Sequence, residues 1–305
     1  MLRAVPGAAY LLVGLGVVFG ATTGSFATPA NLVNVVLQAA VLTILALGMT
    51  LVMLTEGIDL SMGPLLGLAG VSAALVLTAG WSLAAAMALA LVIGLAFGIL
   101  NGLLVAGVGL PAFVVTLGTF GMTQSLAMVL TEGHSVTGLP AVVRWFNEGI
   151  AARIPVPVWT TVAVFAVTGL LLHGTRFGRY VYAIGGNRRA LALMGVRVRA
   201  WHVAVYGFAG LLAALASFIM TARMNAAHPT IGVGLEFDAI AAAVLGGTSF
   251  EKGRGGIGGT VLGALAVGVL RNGLNLIGLS TEWQVAVIGI VIIGAVGLDA
   301  LRGRA

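Results

Sequence analysis

The chain has 305 residues, 60% of them hydrophobic and 8% charged, with a mean hydropathy of +1.12 and a formal net charge of +6. A soluble domain carries about 25% charged residues, so these side chains cannot clothe a globule in water and the solvent has to be lipid. The absence of cysteine excludes disulfides, thiolate metal sites and a cysteine nucleophile, and the basic residues lie between apolar stretches rather than on one face, which argues against nucleic acid as a partner.

Taken in chain order, apolar segments predict spans at 7–26, 35–54, 63–80, 83–106, 111–130, 157–173, 200–221, 237–250, 257–277 and 283–299. Most approach the roughly 20 residues a bilayer needs. The expected fold is all-α: a polytopic membrane protein of about ten transmembrane helices, one domain over 1–305. The first segment starts like a signal peptide, but no small-x-small site precedes a soluble stretch, so it reads as a retained helix. The segment 237–250 is short and reads as broken or re-entrant, tolerable only if protein or a cavity covers its ends. Breaks fall at Thr28-Pro29, Gly80-Trp81, Gly109-Leu110-Pro111, Pro155 and Pro157.

Residues 4–55 and 60–131 carry no charge, and the two acids between them, Glu56 and Asp59, stand in "EGIDLSMGPLLGLAG". Asp59 or Ser61 is placed to cap the next helix, with Pro64 in its first turn. Both acids are expected where water or partner subunits solvate them. The sharper alternative is that Asp59 also shapes or gates a path.

Orientation follows from arginine. The loop 174–199 holds Arg176, Arg179, Arg188, Arg189, Arg197 and Arg199 and no acid, and so belongs in the cytoplasm. Both termini and the Lys252/Arg254 turn then lie inside, and the loop 131–156 outside. A possible inverted repeat shows in the match of Asn101, Gly102, Gly107 and Gly118 to Asn272, Gly273, Gly278 and Gly289 at one offset.

Uphill transport needs a fuel. A phosphate-binding loop requires Gly-Lys-Ser/Thr, whereas the single lysine, Lys252, is followed by Gly253. Either an ion gradient drives the chain or a separate ATPase docks on it. The acids sit at predicted span ends, which weakens the gradient reading. His134, His173, His202 and His228 show no ligand spacing; they read as solvated or interfacial, and no metal site is expected. No nucleophile–base pair suggests an enzyme. For docking, Gly185-Gly186-Asn187 forms a turn, Asn187 can cap a short helix from Arg188 to Met194, and Gly195 can end it left-handed. The alternative is a basic loop that only sets topology.

Four stretches carry a resemblance: "EGIDLSMGPLLGLAGVSAAL" from Glu56, "GLPAFVVTLGTFGMTQSLAMVLTEG" from Gly109, "GRYVYAIGGNRRALALMGVRV" from Gly178 and "FDAIAAAVLGGTSFEKGRGGIGGTVLGALAVGVLRNGLNLIGLS" from Phe237. In order and spacing they resemble the membrane-spanning permeases of ribose-type ABC importers, and they cover nearly the whole chain. The resemblance implies a bacterial inner-membrane subunit that works as a pair of copies. It implies a partner ATP-binding subunit that holds the ATP and magnesium, so that this chain needs no cofactor, and a periplasmic or lipid-anchored binding protein that delivers the solute. The coupling helix maps onto Asn187 to Val196, with Gly185, Gly186, Arg188, Leu191 and Met194 around it and Ala190 and Gly195 at the small-residue positions. Relatives commonly carry Glu-Ala-Ala where this chain has Arg189-Ala190-Leu191, so the ATPase cleft is either more acidic or mainly apolar in its contact.

The solute is expected to be a simple sugar or related small molecule; nucleoside and branched-chain amino-acid permeases share or approach these motifs. An ion-coupled carrier is the alternative from another class. The path is expected to be lined by polar groups: Asp59, Ser61, Asn101, Thr116, Thr119, Gln124, Asn272 and Asn275. Asn and Gln inside a span also serve as helix–helix glue. Arg271, inside the predicted span 257–277, is either a path charge or a side chain that snorkels to the outer interface.

Overall fold

The computed structural model describes residues 7–145, 155–250 and 253–302. In chain order the elements are α1 (Gly7–Thr22), α2 (Pro29–Leu54), α3 (Met62–Thr78), α4 (Leu83–Gly102) running into a π-helical turn (Leu103–Val108), α5 (Ala112–Thr131), α6 (Ala141–Trp145), α7 (Val156–Gly174), α8 (Arg176–Leu193), α9 (Val198–Met224), α10 (Leu235–Leu245), α11 (Ile257–Leu276) and α12 (Thr281–Arg302). Among the described residues there is no strand, only an isolated bridge between Val136 and Ala227. Among the described residues six helices are long and apolar enough to cross a membrane: Pro29–Leu54, Leu83–Val108, Ala112–Thr131, Val156–Gly174, Val198–Met224 and Ile257–Leu276. Gly7–Thr22, Met62–Thr78 and Thr281–Gly294 are apolar but shorter.

α2 is the hub. It starts earlier than the predicted residue 35, because Thr28 accepts from the Asn31 N–H and Pro29 sits in the first turn. Every residue from Ala39 to Leu54 is buried. A helix that is hydrophobic all round belongs in the interior, and α2 packs against α7, α9, α10 and α11. It ends where Glu56 turns left-handed (φ 63°) and the Gly57 N–H reaches back to the Val52 carbonyl.

α9 runs antiparallel to α2: Gly48 faces Ala209, while Thr55 lies with His202 at one end and Leu42 with Met220 at the other. The α4–α9 seam is a backbone contact. A Cβ on Gly98 would strike the Tyr206 carbonyl oxygen, and one on Gly94 would strike the carbonyl oxygen of Gly210. Small residues are what let helices approach this closely without water to drive them together.

α3 and α10 are short, and their N-termini meet inside the protein. Gly63 lies against the Gly232 carbonyl and the Glu236 carboxylate. The helix expected over 237–250 covers only Leu235–Leu245, and the chain turns at Gly246 and Gly247. The region 174–199 is no loop. It is mostly α8, opened by a Thr175 cap and broken once at Asn187 (φ −158°, ψ 88°).

Candidate functional site

Three features concentrate the polar side chains. The first is a buried network behind the α2–α3 link. The Ser61 N–H and hydroxyl both donate to Asp59 Oδ1, at 2.9 and 2.6 Å. Asn101 Nδ2 donates to Ser61 Oγ at 2.9 Å, and Thr119 Oγ1 donates to Asn101 Oδ1 at 2.8 Å. Thr116 Oγ1 donates to the Ile58 carbonyl. Five expected path residues thus converge in one hydrogen-bonded network that joins α3, α4 and α5.

The expectation that Asp59 is solvated is wrong: it is 1% exposed. Nor does Asp59 or Ser61 cap α3 in the expected way. Ser61 makes no side-chain capping bond, because its hydroxyl is held between Asp59 and Asn101. Burial pushes the Asp59 carboxyl above its usual range, and the two Ser61 bonds oppose that rise. Glu56, by contrast, is exposed.

The second feature is a cavity of about 260 Å³ between α2, α9, α10, α11 and α12, lined by Gln38, Arg223, Asp238, Arg271, Asn275, Thr281 and Gln284 among others. Arg271 grips Asp238 with two nitrogens, Nε to Oδ2 at 2.6 Å and Nη2 to Oδ1 at 2.9 Å. Asp238 is 1% exposed and Arg271 24%, so the guanidinium is held by a buried carboxylate. Asn275 and Thr281 are exposed at the rim. Asn272, one position on from Arg271, instead exchanges two 2.9 Å bonds with Asn31 across the α2–α11 contact. Gln124 joins neither group, and its buried Oε1 has no partner among the described residues.

The third feature is the second half of α8. Asn187 Oδ1 accepts from the Ala190 N–H at 2.9 Å, so the expected cap forms, and Gly195 is left-handed (φ 79°). Leu191 is buried with Ile184 and Val198, whereas Arg188, Arg189, Leu193 and Met194 are exposed. The first half of α8 leans on the end of α2 just before the break at Asn187, for a Cβ at Gly185 would meet the Leu54 carbonyl and Gly253. A smaller cavity of about 210 Å³ lies beside it, lined by Thr55, Glu56, Gly57, Arg188 and His202 among others. His202 is 3% exposed, and neither ring nitrogen has a partner among the described residues. This corrects its expected solvated position: its ring packs 5.7 Å from Tyr206 under the α2–α3 link.

Sequence reasoning missed Gln38, Asn31, Arg223, Asp238 and Gln284. One signal was available. Asp238 and Arg271 are opposite charges inside two predicted spans, and intramembrane charges are expected to pair.

The comparisons with known proteins bear on what these features serve. The family described as branched-chain amino acid transport system / permease component matches residues 31–296. The ribose import permease protein RbsC of Escherichia coli (strain K12) is 45% identical over 279 residues, covering 90% of this chain and 87% of the relative. The Bacillus subtilis (strain 168) ribose import permease is 44% identical over 277 residues, 90% and 86% of the two chains. The D-allose transport system permease protein AlsC of Escherichia coli (strain K12) is 36% identical over 300 residues, 98% and 92%. A solved metal-chelate type ABC transporter in an inward-facing conformation superposes with a TM-score of 0.54 at 17% identity, over 96% of this chain and 98% of that one, which speaks for the fold alone.

Proposed function

We propose, for a chain that belongs to the branched-chain amino acid transport system / permease component family, that its cargo is a simple sugar and that its force arrives through the second half of α8. The chain is the membrane-spanning permease subunit of an ABC importer, and its partners are an ATPase and a solute-binding protein. The assembly we infer holds two permease copies in a bacterial inner membrane, with both termini cytoplasmic. ATP and magnesium sit on the ATPase and none on this chain. Closure of the ATPases pushes the Asn187–Gly195 helix, the spans tilt, and solute passes inward by alternating access. Of the nine path candidates, Arg271 and Asn275 line the solute cavity in this scheme, Asp59, Ser61, Asn101, Thr116, Thr119 and Asn272 brace the helices that move, and Gln124 has neither role.

The observation that carries the coupling role is the shape of α8. A helix that only set topology would need no cap, no buried anchor and no exposed apolar tip. This one has all three, in Asn187, Leu191 and the Leu193–Met194 pair. Gly185, just before the Asn187 break, abuts the end of α2, the most buried of the spanning helices, so a push on the tip reaches the core through the first half of α8.

An inverted repeat supports alternating access as the mode of movement. The offset from Asn101 to Asn272 is 171 residues (272 − 101). Adding 171 carries α2 onto 200–225, α3 onto 233–249, α4 onto 254–273 and α5 onto 283–302, which are α9, α10, α11 and α12 to within a few residues. The packing repeats as well: α4 against α9 has its counterpart in α11 against α2, and α3 against α9 in α10 against α2. Since α2 and α9 are antiparallel, the halves are inverted. Ten spanning elements follow if α3 and α10 count as one each and α6 and α8 lie outside the bilayer.

The test is assembly and transport. Purified with its genomic partners, the permease should hold an ATPase and import a sugar only with ATP and the binding protein. Uptake by the permease alone under an ion gradient, with no ATPase bound, contradicts the importer scheme.

A further inference from the structure

Resting on the importer reading, we propose that the Arg271 guanidinium is a solute-contact group of the permease itself: it takes two adjacent hydroxyl groups of a neutral polyol, with Asp238 as the residue that positions it.

The cavity around Arg271 sets seven polar side chains beside an apolar wall of Val41, Leu42, Met220 and Leu235, the mixture that a ringed polar solute presents. Gln38, Gln284 and Asn275 bring amide groups to it, and Arg223 a second guanidinium. Charged side chains inside a membrane protein are costly and rarely idle. An ion pair for stability alone is a poor explanation, because a well-packed apolar pair commonly serves as well or better. Asp238 holds Nε and Nη2 of Arg271, and leaves the rest of the fork on a side chain that lines the cavity. A guanidinium carries five N–H donors in one plane and no acceptor. Its parallel donors match two oxygens side by side, the spacing of a carboxylate or of neighbouring hydroxyls.

The rest of the lining chooses between these. The amides of Gln38 and Asn275 each offer an acceptor as well as donors, which a hydroxyl uses and a carboxylate cannot. Gln284, also in the lining, spends an Nε2 donor on the Leu279 carbonyl and keeps its Oε1 as an acceptor. At about 260 Å³ the space falls just under the roughly 300 Å³ at the lower end of drug-sized sites, so it suits a single-ring solute. Weak binding suits a path, where the cargo must leave again.

Saturation-transfer NMR on the permease–ATPase assembly, without binding protein, tests this with D-ribose, 2-deoxy-D-ribose and D-gluconate as probes. D-ribose should bind, and removing one hydroxyl of the pair should weaken it. Breaking the contact in the Arg271→Gln/Asp238→Asn double variant, which leaves no buried lone charge, should weaken D-ribose by roughly tenfold or more. Arg271→Lys keeps the charge and loses the fork, and should bind as poorly as the double variant. Equal binding of the two sugars, preference for D-gluconate, no D-ribose signal, or wild-type affinity in Arg271→Lys would each overturn the proposal. Co-purification of the ATPase and ATP-driven uptake are read on the same samples, so a wrong subsite is distinguishable from a wrong importer assignment.

Discussion

Replacing Asp59 separates a structural carboxylate from a transporting one. In Asp59→Ala the Ser61 N–H and hydroxyl lose their shared acceptor. Two hydrogen bonds are worth about 1 kcal/mol each, and a buried donor left without a partner adds about 1–3 kcal/mol. The expected loss is therefore about 3–5 kcal/mol, or roughly 6–20 °C at about 2–4 °C per kcal/mol for a chain of this order of size. Asp59→Asn keeps an acceptor oxygen in place and should cost far less.

The pH dependence has a definite sign. Burial raises the folded carboxyl above its unfolded value, so the favourable protonated form is fully present below the unfolded pKa and is lost as pH rises through the folded one. Wild type should therefore lose stability relative to Asp59→Asn as pH rises above the ordinary carboxyl value of 3.8. Thermal unfolding of the detergent-solubilised complex reads both effects, and uptake in vesicles reads transport. Equal melting temperatures for the Ala and Asn variants would refute the hydrogen-bond reasoning. Loss of transport in a fully stable Asp59→Asn variant would show that the charge itself acts.

Three further outcomes are expected. Gly98→Leu drives a side chain into the Tyr206 carbonyl, so it should abolish stable assembly, read as loss of monodisperse protein on size exclusion. Asn31→Ala and Asn272→Ala both break the two Asn31–Asn272 bonds, and Asn31→Ala also loses the one to the Phe26 carbonyl; each should cost about 1–3 kcal/mol, Asn31→Ala the more, and the double variant should cost clearly less than their sum. Met194→Asp alters an exposed position on the tip of α8. It should leave melting unchanged while lowering uptake and solute-stimulated ATP hydrolysis together.

Much of the fold was legible because lipid imposes long apolar runs and places Pro, Gly and Asn at their ends. Asn187 and Gly195 announce a capped helix by residue type alone. The ends of α3 and α10 were less legible. Both begin inside the protein, and nothing local in "GIDLSMGP" or "GVGLEFDA" says that Gly63 will lie on Gly232. For the same reason Asp59 looked like a solvated span end and proved buried. Polar residues within spans were found as a class, but their partners come from distant sequence: Asn272 meets Asn31, and Thr119 meets Asn101. The Arg271–Asp238 pair was readable in principle, as two opposite charges in predicted spans, whereas Arg223 and Gln38 join them only through packing.

A single cysteine settles where the lever faces, since the chain has none of its own. Leu193 is 89% exposed on the tip of α8. A Leu193→Cys variant should react with a membrane-impermeant maleimide in inside-out vesicles, be shielded when the ATPase is bound, and stay unlabelled in right-side-out vesicles. Labelling in right-side-out vesicles would put the helix on the wrong side of the membrane and contradict force transfer through it.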